Sequence, residues 1–154
     1  MKKTTSNLSL LLTSVLLFNT SSFAQSAQDY AVNQRTGVTV SAVEHAHLIT
    51  EMNDFLKAIH DIQTALAVKD METVAAIASK FGPKNGKHDA VGKSLHDKLP
   101  KEWFAIAKPT HQNFLAIATE AQKKSSVESI LAAVSKTTTQ CISCHATYKL
   151  NIAQ

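Results

Sequence analysis

Val127, Leu131, Val134, Thr138, Cys141, His145 and Tyr148 recur at alternating steps of four and three residues near the C-terminal end of the chain. An α-helix brings positions with that spacing onto one face, because 3.6 residues complete each turn, whereas a strand scatters them over both faces. The segment is therefore predicted to be an amphipathic helix whose stripe must be buried against other elements. It opens with Ser125-Ser126-Val127-Glu128, a match to a capping box.

The preceding sequence supplies partners of the same kind. Val43, Leu48, Met52, Phe55, Ile59, Ile62 and Leu66 form a long apolar stripe, with Glu51, Asp54, Lys57 and Asp61 off it. This predicts a helix from near Val40 to near Val68. Asp70 is a plausible N-cap for a shorter helix carrying Val74, Ile77, Ala78 and Phe81, stopped by Gly82-Pro83. The segment 84–99 lacks a clear period and is read as a crossover loop with at most a helical turn around Val91 to Leu95. From Pro100 onward, Trp103, Phe104, Ile106, Ala107, Phe114, Leu115 and Ala118 are core candidates, and Pro109 should kink this helix or split it. With 154 residues, 44% of them hydrophobic, and only four glycines and three prolines, the chain suits one helical domain. An all-α, antiparallel four-helix bundle over residues 40–154 is the expected fold.

The N-terminal residues read as an export signal. Lys2 and Lys3 precede an apolar run from Leu8 to Phe18, and Ser22-Phe23-Ala24 makes a small-x-small cleavage site. Residues 1–24 would be removed, 25–39 would form a flexible leader, and the product would be soluble in the periplasm without stable membrane insertion. Loss of the two lysines lowers the formal charge from +4 to +2. The remaining lysines are spread along the chain, so nucleic acid is not an expected partner.

Both of the chain's two cysteines lie in Cys141-Ile142-Ser143-Cys144-His145, the spacing of c-type haem attachment. On a helix, thiols three positions apart point to nearly one side and can reach the two vinyl groups of one porphyrin, while the next residue offers an imidazole to iron. Three other chemistries use such a pair. A thioredoxin-like pair needs a strand before it and a helix after it. A disulfide between i and i+3 closes a very small loop and stabilises little. A zinc site needs further ligands at recognisable spacing.

A CxxCH close to the C terminus, followed by Ala146-Thr147-Tyr148-Lys149, resembles the class II cytochromes c, the cytochrome c′ family, over roughly residues 40 to 150. The resemblance implies one covalent haem c on Cys141 and Cys144, with His145 as the proximal iron ligand. Lys149 stands where the family usually has arginine. In low-spin members a methionine of the first helix is the sixth ligand, and the matching position is Met52. The same residue lies on the apolar stripe, where methionine ordinarily fills core space. The family's arginine shortly before this methionine is replaced by Leu48, Ile49 and Thr50, so the haem propionates would find their partners elsewhere. Homodimers are common in the resembled family and are expected here by analogy.

Of the other histidines, His45, His60 and His111 fall near apolar faces and are read as surface or hydrogen-bonded groups rather than ligands. His47, His88 and His96 are read as solvated. The leading expectation is a periplasmic single-electron carrier with His/Met ligation, meeting other redox proteins in transient complexes. The alternative is a five-coordinate haem that binds nitric oxide or carbon monoxide. An enzyme is not expected, because no nucleophile-base pair, acidic dyad or phosphate loop is legible.

Overall fold

The computed structural model describes residues 34–83 and 89–154. The export signal expected at 1–24, the first part of the leader and His88 lie outside them. Among the described residues the chain is mostly helical, with five helices and one two-stranded sheet. In chain order the elements are β1 (Thr36–Val40), α1 (Ala42–Ala67), α2 (Met71–Ser79), α3 (Ala90–Lys98), α4 (Lys101–Gln122), α5 (Val127–Thr147) and β2 (Tyr148–Ile152).

α1 starts at a capping box: the Ser41 hydroxyl accepts from the Glu44 N–H, and the Glu44 carboxylate accepts from the Ser41 N–H at 2.8 Å. α2 starts as expected at Asp70, whose carboxylate accepts from the Thr73 N–H at 3.0 Å. α4 packs on both α2 and α5, and α1 packs on α2. Ile62, Val74, Ala78, Phe114, Ile117 and Ile130 fill the centre of this core. A second cluster gathers Val38, Val40, Leu48, Leu95, Trp103 and Tyr148, with Met52 and Cys144 packed against it.

Three features correct the sequence expectations. The leader was expected to run unstructured to Thr39, but Thr36–Val40 is a strand parallel to β2, with Thr36 opposite Tyr148 and Val40 opposite Ile152. The fold is thus mostly helical rather than purely α. A two-stranded ribbon is marginal by itself; here it is held by burial, since Val38 and Val40 are shielded on the face that meets Trp103 and Tyr148. Second, the crossover contains a full helix, α3, capped by Asp89, whose carboxylate accepts from the Gly92 N–H at 2.7 Å. Of the two outcomes expected of Pro109, one kinked helix or a split, the split does not occur: Pro109 lies inside the continuous span of α4.

The third correction concerns the helix that carries the cysteines. Its buried positions are Ile130, Val134 and Thr137, continuing to half-buried Cys141 and Cys144 and buried Tyr148. This row keeps the four-three spacing and shares Val134, Cys141 and Tyr148 with the predicted stripe, but takes Ile130, Thr137 and Cys144 in place of Leu131, Thr138 and His145, which face outward from the core. Thr137 tolerates complete burial because its hydroxyl donates to the Ala133 carbonyl at 3.1 Å. Tyr148 is not helical but opens β2. The cap also shifts by one: the Ser126 hydroxyl accepts from the Ser129 N–H, while the Ser125 hydroxyl donates to Glu120 at 2.7 Å.

Candidate haem site

The cysteine motif occupies the last two turns of α5, and the Tyr148 N–H closes the helix by donating to the Cys144 carbonyl. A thioredoxin-like context is thereby excluded, since helix rather than strand precedes the motif. Both thiols are free and half-buried. The Cys141 thiol donates to the Thr137 carbonyl at 3.6 Å. Burial pushes both thiols above their ordinary value, and for Cys144 the neighbouring Cys141 adds to the effect.

Cys141, Cys144 and His145 line a cavity of about 310 Å³ together with Met52 of α1. The rest of its wall is largely apolar: Phe55, Leu56 and Ile59 from α1, and Trp103, Ile106 and Ala107 from α4. Its volume is at the lower end of the range for small-molecule sites, roughly 300–1,000 Å³. The structure therefore brings together all four residues that the sequence singled out. The donor set of two thiols, an imidazole and a thioether suits haem, whose ring faces want apolar walls and whose iron takes nitrogen and sulfur ligands.

The remaining histidines separate. His45 and His60 do not line this cavity. His111 does; of the two roles expected of it, surface or hydrogen-bonded, the structure shows the second, with Nδ1 on the Phe81 carbonyl, and it also borders a larger cleft of about 630 Å³ between α1, α3 and α4. His47, expected to be solvated, is half-buried along that cleft. The signal for His111 was available: it follows Trp103 and Ala107 and precedes Phe114 at helical spacing, on the face that the apolar residues already define.

Glu44 is another functional group that sequence reasoning passed over. It is 4% exposed, and besides capping α1 it accepts from the Ser94 hydroxyl and the Lys98 ammonium of α3, each at 2.7 Å. Those partners pin α3 to the start of α1 and hold the Glu44 pKa down to about 2, with the Lys98 bond the largest cause.

Comparison with known proteins gives no match to a family model, a curated protein or a solved structure.

Proposed function

We propose that this chain is an exported, monohaem c-type cytochrome of the class II kind, an antiparallel four-helix bundle built from α1, α2, α4 and α5 that carries single electrons in the periplasm. The observation that carries the reading is that Met52 of α1 lines the same mostly apolar cavity as Cys141, Cys144 and His145 of α5. Cys141 and Cys144 would hold haem c through thioether bonds, His145 would be the proximal iron ligand and Met52 the distal one. When bound, the haem supplies a one-electron ferric/ferrous couple.

The chain's own residues then tune and protect that couple. The Met52 thioether favours ferrous iron and so raises the potential relative to a second imidazole. The apolar side chains of Phe55, Ile59, Trp103 and Ile106 in the cavity wall would limit water around a bound haem, which would further favour the less charged state. His145 is exposed, so a haem held there would be within reach of another redox protein in a brief complex.

The test is purification from the periplasm of a host competent in cytochrome c maturation. Intact mass should show residues 25–154 plus one haem, and the ferric spectrum should be low-spin with a sulfur-to-iron band. Met52→Ala should abolish that band. A high-spin spectrum that shifts on adding carbon monoxide would instead assign the wild-type chain to the gas-binding alternative. Bare polypeptide with free or oxidised thiols would overturn the haem reading altogether.

A further inference from the structure

His111 stands in α4 with its Nδ1 2.9 Å from the Phe81 carbonyl oxygen. A carbonyl only accepts, so Nδ1 carries the proton, and in the neutral ring Nε2 keeps the lone pair. Histidines that bind metal are characteristically set in this way, one nitrogen donating to a carbonyl that fixes ring and tautomer while the other coordinates. The ring is also held edge-on by Phe55, with centroids 5.4 Å apart. Phe55 follows Met52 by three residues, a rise of about 4.5 Å along α1. His111 thus abuts the α1 face that carries Met52, and it lines the cavity shared by Met52, Cys141, Cys144 and His145. A neutral Nε2 cannot donate a hydrogen bond to a small ligand; it can accept one or bind iron.

We propose that His111 is a second distal ligand held in reserve, its Nε2 taking the sixth iron position whenever Met52 does not. The inference rests on the cytochrome reading above. It makes the distal side a two-ligand device: exchange of thioether for imidazole keeps the iron six-coordinate and lowers the potential.

Three proteins test it, each checked for attached haem by intact mass and for helicity by circular dichroism: wild type, Met52→Ala, and Met52→Ala with His111→Gln. Glutamine retains a donor for the Phe81 carbonyl but is a poor iron ligand. Met52→Ala is expected to lose the sulfur-to-iron band, stay low-spin with the paramagnetic resonance of bis-imidazole iron, and show a lower midpoint potential. The double variant is expected to become high-spin and to bind carbon monoxide when reduced. High-spin iron in Met52→Ala alone would overturn the proposal, as would a low-spin double variant. If the double variant fails to fold, the resonance of Met52→Ala decides alone. Absence of haem from all three would overturn the cytochrome reading as well, which the mass separates from a failed ligand assignment.

Discussion

Glu44 ties two elements through one carboxylate, and its protonation state has a direct consequence for stability. Its pKa falls from an ordinary value of 4.5 in the unfolded chain to about 2 in the folded one. As pH drops, the unfolded chain binds this proton first, so the stabilisation is complete above about 4.5 and is lost toward 2. Thermal melts across this window should show a steeper loss of Tm for the wild type than for Glu44→Gln, which should already be less stable at neutral pH. Asp70, Glu120 and Glu128 are lowered too, but they are present in both proteins and leave the difference to Glu44. Parallel pH profiles would remove Glu44 from the account. The residue was legible in principle as the second half of Ser41-x-x-Glu44, a capping box before an apolar run. Its contacts with Ser94 and Lys98 were not, because they join positions far apart in sequence within a segment that showed no period.

At the scale of elements, periodicity located the helices well and their faces less well. The limits of α1 and the start of α2 followed from the apolar stripes and Asp70, since caps act locally, whereas α2 ends at Ser79 with a right-handed cap at Lys80, short of Phe81 and the expected stop at Gly82-Pro83. Alternate members of the α5 stripe were misassigned because two interleaved rows share its sequence. Val134 and Cys141 belong to both rows, and the choice rests on whether Ile130 and Thr137 or Leu131 and Thr138 meet α4. Hydrophobicity favours neither, as each row pairs one aliphatic residue with one threonine. The structure buries Ile130 completely and leaves Leu131 41% exposed. Ile130→Ala should therefore cost about 2–5 kcal/mol in urea unfolding, whereas Leu131→Ala should cost less than about 1 kcal/mol. Equal costs, or the reverse order, would contradict the register. The same row brings both cysteines to the half-buried side. The candidate site was legible because CxxCH and Met52 each carry a local signal; the apolar face of His111 was legible as well, but its place in the same cavity as Met52 was not, because that depends on how α4 lies against α1.

For the whole molecule, the least expected feature is the pairing of β1 with β2, which joins the start of the described domain to its end with all five helices between. Val40 is 1% exposed, and Trp103 packs at a tilt against Tyr148 with centroids 5.0 Å apart. The ribbon therefore seals the cluster against which Met52 and Cys144 pack. Parallel strands so distant in sequence cannot gain from pairing until the loop between them has been closed, and loop closure is cheap only after the helices have packed. The ribbon should consequently form late, after the folding transition state. Val40→Ala is expected to lower stability by roughly 2 kcal/mol for the two methyl groups withdrawn from burial. That loss should appear almost entirely as faster unfolding, with the folding limb of the chevron unchanged. Phe114→Ala, in the helical core, should cost about 3–5 kcal/mol and slow folding as well. If Val40→Ala slowed folding as strongly as Phe114→Ala, the two ends of the chain would have to meet early, and the helices would be assembling around the ribbon rather than presenting it with a finished surface.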